Sequence, residues 1–150
     1  METVSVGELA AQGVTAERGE NRLVVLVVDG EPAVADAIAD VLRRSDFCAM
    51  AAYRAETALQ DAAMIPPDLM IIDILLPGMN GIELAMIMEK EYPRCRVLLL
   101  TADAGAEGLL EMMRKEGRTF PVLMKPMYPA DVLFAMAGPE GTRWRKQQSN

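Results

Sequence analysis

Pro67-Asp68-Leu69-Met70-Ile71-Ile72-Asp73-Ile74-Leu75-Leu76-Pro77-Gly78-Met79-Asn80-Gly81 is the stretch on which the fold turns. Leu69 to Ile72 is an unbroken apolar run, Asp73 ends it, and Pro77-Gly78 marks a turn a few residues later. A short run without polar alternation is expected of a strand covered on both faces, as in a parallel sheet.

The same pattern recurs on either side. Leu23 to Val28, Val97 to Leu100 and Val122 to Met124 are further short apolar runs. Cys48 to Tyr53 is a weaker strand, expected at an edge. Between the runs the period becomes helical. Val34, Ala37, Ile38, Val41 and Leu42 form one stripe, with Asp36, Asp40 and Arg43 opposite. Ala55, Ala58, Leu59 and Ala62 form a second, and Gly81, Leu84, Ala85 and Met88 a third. Leu109, Met112 and Met113 suggest a fourth, and Ala130, Leu133, Phe134 and Ala137 a fifth. Five βα units in succession predict an α/β protein: an open, doubly wound parallel sheet with helices on both faces.

This assigns residues 22–138 to one domain. Residues 1–21 read as an N-terminal tail with a short helix near Val6–Ala11. Residues 139–150 read as a solvated C-terminal tail, although Arg143, Arg145 and Lys146 leave a basic docking peptide as an alternative.

Composition narrows the function. The 150 residues carry a net charge of −7, with a pI near 4.6. That gives no electrostatic attraction to nucleic acid or to an anionic membrane. Histidine is absent, which excludes His-ligated zinc, Ser-His triads and a phosphohistidine donor. The cysteines, Cys48 and Cys95, lack CxxC spacing and read as reduced. With no signal-like N-terminus and no membrane-length apolar run, a cytoplasmic protein is expected.

The chemistry lies where the apolar runs stop. Asp29 follows Val28, Asp73 follows Ile72, Thr101 follows Leu100 and Lys125 follows Met124. In a parallel sheet these ends share the carboxyl edge, where ligands bind in this fold class. A lone Asp or Thr at a strand end is ordinarily a turn former or helix cap. Four polar residues at four buried-strand ends form a set suited to phosphoryl transfer. One carboxylate can attack phosphorus and another can help hold Mg²⁺. The hydroxyl and the ammonium can stabilise phosphoryl oxygens.

Val27-Val28-Asp29-Gly30-Glu31-Pro32, the stretch from Pro67 to Gly81, Thr101-Ala102 and Lys125-Pro126 together resemble bacterial response-regulator receiver domains, in order and spacing. The resemblance implies a flavodoxin-like sheet of strand order 2-1-3-4-5. It also implies that Asp73 is the phosphoacceptor, Thr101 the switch hydroxyl and Lys125 the invariant lysine. Mg²⁺ would be held by Asp29, Asp73 and the main-chain carbonyl of Leu75. The protein would be a phosphoacceptor that assists its own phosphorylation, not an enzyme in the usual sense. Its donor would be a sensor histidine kinase or phosphotransfer protein.

Two positions depart from the family pattern. Gly30 stands where a second acidic residue usually ligates the metal, so weak Mg²⁺ binding is expected. Val122 stands where an aromatic residue usually lies, while Phe120 is out of register by two and Pro121 stiffens the approach. The usual coupling between hydroxyl and aromatic is expected to be altered. The resemblance also implies that the side chain at Leu75 flanks the path of hydrolytic water; being apolar it cannot orient that water, so slow self-dephosphorylation is expected.

The chain has 12 methionines, and Met112, Met113, Met124, Met127 and Met136 fall in the last two βα units. In receivers that region contacts the downstream protein partner, and Met-rich faces adapt to partners. The alternative is that these residues fill core gaps. The main expectation is a stand-alone receiver in two-component phosphorelay signalling, acting through protein contacts. The alternative is a pseudo-receiver, an interaction module with little or no Mg²⁺-dependent phosphorylation. Other enzymes on a similar sheet fit poorly. An aspartyl phosphatase would want Asp where Leu75 stands, and no Gly-rich phosphate loop follows the first strand.

Overall fold

The strands lie parallel in one five-stranded sheet of order β2-β1-β3-β4-β5. This computed structural model describes residues 22–102 and 107–125. The elements are β1 (Val24–Val28), α1 (Pro32–Arg44), β2 (Cys48–Ala52), α2 (Ala55–Met64), β3 (Leu69–Asp73), α3 (Gly81–Glu91), β4 (Arg96–Thr101), α4 (Glu107–Lys115) and β5 (Val122–Met124). The expected helices near residues 6–11 and 130–137, both tails, Met127 and Met136 lie outside the described residues.

Alternation along each strand splits the core into two layers. Val25, Val27, Ile71, Leu98 and Leu100 face α1. Val24, Leu26, Val28, Met70, Ile72 and Leu99 face the other way, toward α2, α3 and α4. Every residue of β1 and β3 is buried, as is every residue of β4 after Arg96. Each fully buried Ile or Leu contributes roughly 2 kcal/mol.

Two sequence expectations need correction. The buried stripe of α1 is Ala35, Ile38, Ala39 and Leu42, whereas Ala37 is exposed. The helix is rotated so that its small alanines press on the sheet. Asp36, Asp40 and Arg43 consequently sit half-buried at its margin. The second correction concerns β5, whose residues are half-buried or exposed. Among the described residues it pairs only with β4, without the second strand neighbour that β1, β3 and β4 possess.

Local signals fix the helix starts. Pro32 opens α1, where its missing N–H costs nothing. Asn80 and Glu83 form a reciprocal capping box at α3.

Candidate functional site

Parallel register brings the strand ends to one edge. Asp29 N–H donates to the Ala52 carbonyl at 3.1 Å, and Ile74 N–H donates to the Leu100 carbonyl at 2.8 Å. Lys125 N–H donates to the Thr101 carbonyl at 2.5 Å. The ends of β1, β3, β4 and β5 are thereby set side by side.

The Lys125 ammonium joins the two carboxylates. Its Nζ lies 2.6 Å from Asp29 Oδ2 and 3.4 Å from Asp73 Oδ2. Asp29 is fully buried, and its Oδ1 accepts the Glu31 N–H at 2.9 Å. Asp73 is also buried, and its Oδ1 accepts the Leu75 N–H at 3.2 Å. Each carboxylate thus receives one main-chain N–H on one oxygen and faces the ammonium with the other. Thr101 is buried at the end of β4, pairing with β5 through Met124.

The charges shift one another. Burial, and then the neighbouring Asp29 charge, raise the Asp73 pKa above 3.8. Lys125 and the Leu75 N–H pull it down without reversing the shift. Burial alone would lower the Lys125 pKa. Its hydrogen bond to Asp29 and the charges of Asp29 and Asp73 outweigh that, leaving it above 10.5. Asp73 is therefore a carboxylate made more basic than usual, held beside a firmly charged ammonium.

The loop after Asp73 is closed at its neck. Gly81 N–H donates to the Ile74 carbonyl at 2.7 Å. A Cβ on Gly81 would lie 2.2 Å from the Asp73 carbonyl oxygen, so only glycine permits α3 to start there. The helical pattern identified Gly81 as an inward residue, but not this close approach. The Asn80-to-Glu83 spacing was a readable signal for the capping box that seats the same helix.

Gly30 also has a local reason. A Cβ there would lie 3.1 Å from Pro77 Cδ. The missing acid thus coincides with close packing between the loops that follow β1 and β3. Leu75, two residues after Asp73, is exposed. Val122 and Phe120 are both half-buried against the layer that holds α2 to α4. Among the described residues no group of three or more His, Cys, Asp or Glu could hold a metal ion.

Fold and site together define a class, the parallel α/β domains that carry an acid pair and a lysine at the carboxyl edge of the sheet. The family model for the response regulator receiver domain matches residues 25–137, and the chain belongs to that family. It is a family of phosphoacceptor signalling domains that interact with histidine kinases.

The chain is 34% identical over 114 residues to a protein described as the probable transcriptional regulatory protein TcrX of Mycobacterium tuberculosis, covering 76% of this chain and 48% of that one. It is 28% identical over 109 residues to the DNA-binding response regulator MtrA of Mycolicibacterium smegmatis, covering 73% and 46%. The chain therefore spans about half the length of these curated relatives. In fold it is similar to the CheY-like receiver domain protein of Methanospirillum hungatei, with a TM-score of 0.71, 24% identity, and coverage of 85% of this chain and 98% of that one. Among the described residues no helix is long and apolar enough to cross a membrane.

Proposed function

We propose that Asp73 accepts a phosphoryl group from a sensor histidine kinase or phosphotransfer protein, and that a protein partner reads the result. The observation that carries this reading is the Lys125 ammonium placed between Asp29 and Asp73. An Asp73 oxygen attacks phosphorus, the bond from phosphorus to the donor nitrogen breaks, and the imidazole leaves with the electron pair. Lys125 balances charge on the transferred group, and Thr101 supplies a hydroxyl for it.

Asp29, Asp73 and the main-chain carbonyl of Leu75 would hold Mg²⁺. All are hard oxygen donors, and this ion is commonly bound by one or two carboxylates with substrate oxygens. It would neutralise charge on the phosphoryl oxygens. With Gly30 in place of a further acid, its affinity is low.

The downstream partner docks on the last two βα units. Met112 and Met124 are well exposed there, while Met113 belongs to the core. Replacing Met112 with Gln should weaken partner binding with little loss of stability. A polar residue there that unfolds the chain would assign Met112 to the core instead. The acidic surface favours protein over nucleic acid as the direct contact of this domain.

The test is incubation with Mg²⁺ and acetyl phosphate, followed by mass spectrometry of Asp73. Labelling of the parent and none of Asp73→Asn is expected. The exposed Leu75 should give a phosphoryl group that persists for minutes or longer, and a half-life of seconds would contradict its role.

The close approach of Gly30 to Pro77 favours one other reading, a receiver fold kept as an interaction module. Absence of label in both the parent and Gly30→Asp would establish it.

A further inference from the structure

Among the described residues β2 pairs with β1 alone, and its outer edge carries a device outside the phosphoacceptor site. Cys48 N–H donates to the Leu23 carbonyl, and the Ala52 carbonyl accepts from Asp29 N–H. Residues 48, 50 and 52 therefore turn their peptide groups to β1. By the alternation of a parallel ladder, Ala49 and Ala51 turn theirs outward.

The strand reads Cys48-Ala49-Met50-Ala51-Ala52, without charge or proline. An uncharged edge without proline is a template for another strand. A second copy of the same strand fits it, because neither strand brings a charge to the pairing and the outward-turned residues, Ala49 and Ala51, are small.

One acceptor of that edge is occupied. Arg43, in the last turn of α1, donates from Nε to the Ala49 carbonyl at 2.9 Å. Its NH2 group is buried and has no hydrogen-bond partner among the described residues. The nearby acid of the same helix, Asp40, is paired instead with Arg44 at 2.8 Å. Withdrawing a guanidinium nitrogen from water without a partner is unfavourable. The polar contact fixed by this placement is the outward carbonyl of β2.

We propose that Arg43 guards the β2 edge. Its guanidinium occupies the acceptor that the β2 strand of a second copy would otherwise take, so two receivers cannot join their sheets there.

Sedimentation velocity of the whole chain across a concentration series tests this. Arg43→Met keeps the apolar stem but removes the donor. It should strengthen self-association by about tenfold or more. Adding Ala51→Pro removes only an outward N–H, a position where an edge strand tolerates proline. The double variant should return to the parental profile. An Arg43→Met profile identical to the parent would overturn the proposal. So would undiminished association of the double variant, because that association would not run through the edge. Capture of an unrelated extended peptide by Arg43→Met, without self-association, would overturn the choice of a second copy as occupant.

Discussion

The two halves of the site are built differently. The anionic half stands on β1 and β3, whose residues are all buried, and each carboxylate is held by a main-chain N–H of the turn that follows it. The cationic half stands on β5, a three-residue strand at the sheet's edge whose last residue, Met124, is exposed. The anions are thus fixed by the core. The cation is positioned by a short ladder and by the anions themselves. Burial is deepest on the anionic side, where the Asp29 side chain is 0% exposed against 15% for Lys125.

The largest effect should come from leaving the more deeply buried charge unpaired. Lys125→Ala leaves Asp29 buried and uncompensated, which should cost roughly 3 kcal/mol in urea unfolding. Asp29→Ala leaves Lys125 with Asp73 still 3.4 Å away as a partner, and should cost roughly 1 to 2 kcal/mol. Equal losses would break the comparison.

Next comes the seat of Asp73. Gly81→Ala places a methyl 2.2 Å from the Asp73 carbonyl oxygen, and the backbone must shift by an amount worth about 1 to 3 kcal/mol. Labelling of Asp73 should fall with it, and unchanged labelling would mean that the start of α3 does not hold the acceptor. Gly30→Asp is milder. Its Cβ meets only the ring edge of Pro77 at 3.1 Å, for about 1 kcal/mol of stability. Labelling yield should rise at limiting Mg²⁺ if the missing ligand restrains the reaction.

The smallest effects are those of pH. The Lys125 pKa is raised in the fold. Its stabilising contribution is therefore complete below the unfolded value, near 10.5, and is lost as pH rises through the higher folded value. The alkaline limb of a stability curve should flatten in Lys125→Met. Asp73 is shifted upward too, so the fold favours its neutral form, and stability falls as pH rises from 3.8 through the folded value. Asp73→Asn should melt slightly higher than the parent at neutral pH. Labelling should fade on acidification at a pH above that of an ordinary aspartate.

Much of this was legible in the sequence because it depends on local order. Unbroken apolar runs marked β1, β3 and β4, and the residue ending each run named Asp29, Asp73 and Thr101. Lys125 followed by the same logic, although β5 proved half-exposed. Burial there depends on the number of sheet neighbours, which no run of residues encodes. The α1 stripe was misjudged because Ala35 and Ala39 look no more apolar than Ala37. Their burial is set by how closely the helix approaches the sheet. The Gly30 contact with Pro77 and the Arg43 contact with Ala49 join segments through the fold, so neither residue's own neighbourhood announced them.

The bond from Gly81 N–H to the Ile74 carbonyl has a practical corollary. A loop shut at its neck can be lengthened at its tip at small entropic cost, about 0.6 kcal/mol for each doubling. Pro77 and Gly78 form an exposed tip. A reporter peptide grafted between them would sit beside the acceptor while the neck keeps Asp73 in register, turning a structural clasp into a handle for watching the site.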